Sequence, residues 1–255
     1  GRLQSLDLDL YSPKTDTVTN RPCVILCFGG AFVQGTKTSP ELVFMAGHFA
    51  QRGFVCASID YRLDNQSNLN AKGSSAEFGA AIRAIQDAKA AIRFLKSKHS
   101  DFGIDTNMIF IGGTSAGGIT ALTLGYSQYS EFPNSVKAII DNLGGYEGTT
   151  NNLPNTSTVK GLFNFSGGVF DTAHIGTNDL PVYLNHATGD EVVPFYSGFP
   201  LNGQAKVKVY GSGAIEARMK LQGNYYEIDS FNSTTKPISS CKRRLPAAML
   251  LSPSR

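Results

Sequence analysis

The sequence is poor in charge. Lys, Arg, Asp and Glu make up 17% of its 255 residues, and the formal net charge is +3. So near-neutral a balance lacks the basic excess that binds nucleic acid or an anionic membrane surface, and neither is expected as a partner. The one basic cluster, Lys242, Arg243 and Arg244, is local. No apolar run approaches the roughly 18 residues that span a bilayer. Cysteine is scarce too, at positions 23, 27, 56 and 241. The first three fall inside apolar runs, as small core residues do, and the spacing fits no zinc or redox motif. With no cluster of metal-ligand type, neither a metal nor a cofactor is expected. Repeats and low-complexity linkers are absent. No signal-peptide pattern opens the chain, which begins Gly-Arg without a Met. An address removed earlier, and with it a secreted or periplasmic location, stays open.

What is present is a hydrophobic content of 41% and 27 glycines. That suits a single loop-rich α/β domain over residues 1–255 with one buried sheet. Apolar runs at 24–28, 54–59, 108–111, 136–140 and 182–187 lack polar alternation, which predicts parallel strands covered on both faces. Helical spacing of apolar residues appears over 40–51 and most clearly over 75–98, where Phe78, Ile82, Ile85, Ala88, Ile92 and Leu95 share a face. Further helices are predicted from Ser115 to about 125 and over 214–222, followed by a strand over 225–231. The alternation implies a doubly wound, mostly parallel sheet in a three-layer α/β/α arrangement. Residues 144–178, rich in Gly, Asn, Thr and Ser, exceed an ordinary connection and read as a partial lid or pocket wall.

Three motifs carry chemistry. Gly113-Thr114-Ser115-Ala116-Gly117-Gly118 follows an apolar strand and opens a helix. That setting turns a commonplace G-x-S-x-G pattern into a tight turn projecting a serine from the strand's C-terminal end. The alternative, a plain Gly-rich strand–helix turn, explains the context less well. Upstream, Phe28-Gly29-Gly30-Ala31-Phe32 follows the first strong strand. Its small residues allow backbone N–H groups to converge on a substrate oxygen, and the N–H of Ala116 can join them. Losing one such donor typically costs about 10²–10³ in rate. Downstream, Asp190 in Gly189-Asp190-Glu191-Val192-Val193-Pro194 stands at a strand's C-terminal end, where α/β active sites form. A turn or helix-cap aspartate is the alternative there.

With Ile59-Asp60-Tyr61-Arg62 and Gln86-Asp87-Ala88-Lys89-Ala90-Ala91-Ile92-Arg93-Phe94-Leu95, these motifs resemble the α/β-hydrolase family of the carboxylesterase and lipase type over most of residues 6–231. The resemblance implies a serine esterase acting on a small-molecule ester, with short acyl groups, through an acyl-enzyme. It makes Ser115 the nucleophile, Asp190 the triad acid, and the N–H groups of Gly30, Ala31 and Ala116 the oxyanion hole. Phe28 replaces the histidine that opens the first motif in the family; backbone donors survive that change.

The sequence departs from the family in one further respect. The triad histidine is expected after the last strand, yet none of His48, His99, His174 and His186 follows Asp190. His48 and His99 read as surface or packing residues, and His186 as a structural residue. His174 could serve only if its segment folds over the site. Lys236 stands about where the histidine belongs. A tail over 238–255 foreign to the fold, from truncation or a frame shift near Lys236, is the favoured explanation. A weakened hydrolase and a substituted base such as Lys236 are the others. Rival readings of function are an esterase for acylated plant polysaccharides and a binding protein on a hydrolase scaffold that lacks the triad histidine.

Overall fold

The computed structural model describes residues 5–14 and 17–234. Lys236, Cys241 and the 238–255 tail lie outside the described residues. The chain opens with β1 (Leu8–Tyr11) and β2 (Arg21–Cys27), then α1 (Pro40–Ala50), β3 (Val55–Ile59), α2 (Gln66–Lys72), α3 (Ser74–Ser97) and the short α4 (His99–Phe102). Next come β4 (Ile104–Thr114), α5 (Ala116–Tyr126), α6 (Asn134–Asn142), β5 (Gly161–Phe165) and β6 (Gly168–Val169). β7 (Val182–Ala187), β8 (Ser197–Gly198), β9 (Val209–Gly211), α7 (Ser212–Gln222) and β10 (Tyr226–Phe231) complete it.

Seven strands form the main sheet in the order β1-β3-β2-β4-β5-β7-β10. All neighbours run parallel except the edge strand β1, which is antiparallel to β3. Successive residues of β5 point to opposite faces. Phe163 meets Phe49 of α1, while Leu162 lies where a Cβ on Gly125 of α5 would touch it. Helices α1 and α5 therefore cover opposite faces of the sheet. Both faces of the central strands are dry, which is why β2 and β3 read as apolar runs. The three-layer, mostly parallel expectation holds.

Two expectations need correction. Residues 136–140 form no strand but the core of α6, with Val136 and Ile140 buried four residues apart on one face. Pro133 sits at its N-terminal boundary, and a five-residue stretch such as Val136-Lys137-Ala138-Ile139-Ile140 cannot by itself separate a strand from a buried helix turn. The 144–178 segment is not one lid. It contains the fully buried central strand β5. Its earlier half is fastened along α3 instead: Glu147 accepts from Lys89 Nζ (2.5 Å) and Arg93 Nη1 (3.0 Å), and Lys96 Nζ donates to Thr156 Oγ1 and the Thr158 carbonyl (3.0 and 2.8 Å).

Candidate active site

The turn between β4 and α5 holds Ser115 at φ 53°, ψ −116°, a left-handed conformation that a side chain normally avoids and that clusters at functional sites. The contacts around it explain the glycines. A Cβ on Gly113 would stand 2.2 Å from the Cys27 carbonyl oxygen, and one on Gly117 only 2.1 Å from the same atom. The end of β2 thus fits between the residues flanking the serine. From the other side the Ser115 N–H donates to the Phe165 carbonyl of β5 (2.8 Å). Gly117→Ala must therefore move backbone against backbone. A displacement of even about 1 Å costs on the order of 10²-fold in a positioned reaction. That loss is expected in the rate at which a fluorophosphonate labels Ser115. Gly47→Ala in α1, where a Cβ meets nothing within 4 Å, should leave the rate unchanged.

Immediately after β2 the second motif turns sharply. Gly30, Ala31 and Phe32 all have positive φ (129°, 53° and 63°). The turn is closed by N–H groups of Val33 and Gln34 donating to the Gly30 carbonyl (3.0 and 3.1 Å). Gly29 passes so close that its Cβ would lie 3.3 Å from that of Ser115. Phe28, at the family's histidine position, is buried and stacks on Tyr61 with ring centroids 4.1 Å apart. The Tyr61 hydroxyl donates to the Phe28 carbonyl (2.8 Å). Neither Gly30 nor Ala31 donates its N–H to a described backbone carbonyl. The Ala116 N–H opens α5, where no preceding turn supplies an acceptor.

The third motif lies beyond β7. Asp190 Oδ1 accepts from the N–H groups of Val192 and Val193 (2.7 and 2.9 Å). Its Oδ2 is buried and without a hydrogen-bond partner among the described residues. His186 Nε2 lies 3.5 Å from that oxygen, an electrostatic contact, and gives its hydrogen bond to the Val193 carbonyl (3.0 Å). Burial opposes ionisation of Asp190, but the His186 ring and the N–H groups of Val193 and Val192 outweigh it and hold its pKa below the usual 3.8. A lowered pKa means that the carboxylate's stabilisation is complete above the ordinary value and is lost as pH falls through the folded one. Asp190→Asn should remove that increment. The two proteins' melting temperatures would then converge below about pH 4 and separate above it, as thermal scans across pH would record.

Ser115, Ala31 and Ala116 share one pocket of about 80 Å³, walled by Phe32, Ile119, Phe170, Val193 and Val209 among others. The 144–178 segment contributes Phe170 to it; the larger share comes from residues 192–209. Sequence reasoning did not single out this second stretch. Its signal was the break after Pro194, with exposed aromatics Tyr196 and Phe199 in a run of turns.

The histidines are accounted for elsewhere. His186 is fully buried, with Nδ1 3.0 Å from Ser212 Oγ. His174 Nδ1 lies 2.8 Å from Ser127 Oγ, beyond the far end of α5 from Ser115. An eleven-residue helix sets those ends about 16 Å apart. His48 packs edge-on against Phe44 of its own helix, and His99 is exposed at the start of α4. The described chain ends at Thr234 beside the acid loop, where the Gly189 N–H donates to the Ser233 carbonyl (3.1 Å).

Residues 8–167 match the BD-FAE family. Among curated proteins the chain is 31% identical over 156 residues to esterase LipC of Mycobacterium tuberculosis, a match covering 58% of this chain and 36% of LipC. It is 25% identical over 219 residues to the probable carboxylic ester hydrolase LipM of the same organism, covering 76% of this chain and 47% of LipM. The chain thus spans less than half the length of these relatives. Among solved structures, the propionate-bound esterase Est2 of Thermogutta terrifontis superimposes with a TM-score of 0.66 at 20% identity, covering 91% of this chain and 80% of that one. The family match spans more than half of the chain and contains the elbow, the Gly-Gly-Ala turn and the Tyr61 support, so the chain belongs to the BD-FAE family and has the α/β-hydrolase fold.

Proposed function

We propose that this chain hydrolyses small carboxylic esters through an acyl-enzyme on Ser115. The Ser115 hydroxyl adds to the ester carbonyl as its proton passes to a base. The N–H groups of Gly30, Ala31 and Ala116 take up the charge on the resulting oxyanion. Collapse expels the alcohol, and water then releases the acid by the same steps in reverse order. Asp190 orients and stabilises the base. The observation carrying this reading is the left-handed Ser115, wedged between two obligatory glycines and opening into one pocket with Ala31 and Ala116. A pocket of about 80 Å³, against roughly 300–1,000 Å³ for drug-sized ligands, favours short acyl groups. The esterases among its relatives support the same class of reaction.

A second reading, a binding protein without turnover, is favoured by one observation. Asp190 Oδ2 has no hydrogen-bond partner among the described residues, and every histidine in the chain is engaged elsewhere or exposed. Incubation with a fluorophosphonate, followed by mass spectrometry of the elbow peptide, separates the two. Modification of Ser115 supports the esterase. A folded protein that stays unmodified rejects it and leaves the binding reading.

A further inference from the structure

The pocket at Ser115 is apolar except for one charged side chain among the described lining residues, Glu77. Glu77 sits in the first turn of α3, and its carboxylate holds backbone N–H groups. Both of its oxygens accept the Lys206 N–H (2.9 Å each), and Oε2 also accepts the Val207 N–H (2.8 Å). The segment so gripped carries Pro200, Leu201, Ala205 and Val207, all on the pocket wall.

This wall is the loop between β8 and β9, whose pairing at Ser197–Tyr210 and Gly198–Val209 holds its two ends together. Its own hydrogen bonds are internal turns, Gly203 to Phe199, Gln204 to Leu201 and Ala205 to Pro200. At its near end Leu201 and Asn202 donate to the Val192 and Glu191 carbonyls of the acid loop (2.7 and 3.2 Å). Leu201, Asn202 and Gly203 all have positive φ, so the turn holds backbone strain that two ordinary residues do not adopt unaided. Just before β9, which pairs with β6 and β8, the loop is also held to the helical layer through the Glu77 carboxylate. A charged acceptor on backbone N–H groups makes a hydrogen bond roughly twice as strong as a neutral one, which suits a single strap.

The geometry assigns to Glu77 the setting of acyl length: it straps the 200–207 wall against α3 and so keeps the pocket beside Ser115 shallow. This rests on Ser115 being the nucleophile. Glu77 is a positioning residue; it shapes the pocket and takes no part in proton transfer. Releasing the strap lets the loop between β8 and β9 lift away from α3 and exposes further apolar surface to a longer chain.

The test compares wild type, Glu77→Ala and Glu77→Gln by the labelling rates of Ser115 with ethyl and octyl fluorophosphonates. Backbone amide hydrogen exchange is followed in the same proteins. Glu77→Ala should raise the octyl-to-ethyl rate ratio at least about tenfold, the effect of two more methylenes finding an apolar wall. Glu77→Gln, which keeps an acceptor but sets an amide donor against the other N–H, should fall between. Exchange at residues 206 and 207 should quicken in the same order while the central strands stay protected. An unchanged ratio with faster exchange at 206 and 207 overturns the assignment of acyl length, and unchanged exchange overturns the strap. Absence of labelling by either probe in folded wild type overturns the esterase reading itself, and the acyl-length assignment with it.

Discussion

Ser115→Gly is expected to abolish fluorophosphonate labelling and, at the same time, to raise the melting temperature. The first effect follows from removing the hydroxyl that the proposed function makes the nucleophile. The second follows from the backbone. Ser115 holds φ at 53° and ψ at −116°, and a left-handed conformation costs an L-residue roughly 1–3 kcal/mol. Glycine removes that cost but adds about 0.5–1 kcal/mol of unfolded-state entropy. The net gain should be about 1 kcal/mol, or roughly 2–4 °C in a chain of this size. Ser115→Ala keeps the Cβ and hence the strain. It should lose labelling without gaining stability, so differential scanning calorimetry of the two variants separates strain from chemistry. Equal melting temperatures would show that the elbow is not strained.

Asp87→Ala is expected to be the most destabilising single change among the charged residues. The Asp87 side chain is fully buried in α3. It accepts from the Arg62 N–H (2.8 Å), from Arg62 Nε (2.9 Å to Oδ2) and from Thr150 Oγ1 (3.2 Å), and pairs with Arg62 Nη2 at 2.9 Å. Removing one partner of a buried pair typically costs about 3–5 kcal/mol. Arg62 is 30% exposed and can recover some hydration, so the lower end, about 3 kcal/mol, is the expected value. That corresponds to a fall of roughly 6–12 °C. The damage should also reach the active site. Arg62 follows Tyr61, whose hydroxyl holds the Phe28 carbonyl at the root of the Gly30–Ala31 turn. Labelling of Ser115 should slow even at temperatures where the variant is folded. Asp101→Ala is the control: its pair with Lys98 is 3.3 Å long and exposed on both sides, so its loss should cost under about 0.5 kcal/mol.

This chain of supports gives physical content to the motifs beyond the serine. Asp60-Tyr61-Arg62 and Gln86-Asp87 are far apart in sequence and carry no obvious chemistry. In the fold, Gln86 accepts from Arg62 Nη2 (3.1 Å) and donates to the Leu143 and Gly145 carbonyls (3.1 and 2.7 Å). One face of α3 thereby fastens the end of β3 on one side and the exit of α6 on the other. The same helix continues this role with Lys89, Arg93 and Lys96, which tie down residues 147–158. Its N-terminal turn holds the pocket wall through Glu77.

The sequence by itself determined most of the strands that are covered on both faces, the long helix α3 and the order of the motifs, because dry strands and amphipathic helices write their periods locally. It also pointed to the tight turn at Ser115, since a serine between glycines after an apolar strand leaves few conformations there. Tertiary structure alone decided the rest. Residues 136–140 became a helix because burial on one side, at Val136 and Ile140, outweighed β-propensity. Strand β5 lay hidden in a polar stretch because five residues suffice once β4 and β7 pair with them. The wall of the pocket fell to residues 192–209, which β8–β9 pairing and bonds from Glu77, some 130 positions earlier in the chain, bring beside Ser115. Which side chain faces a serine is set by contacts between distant segments, and no local pattern records them.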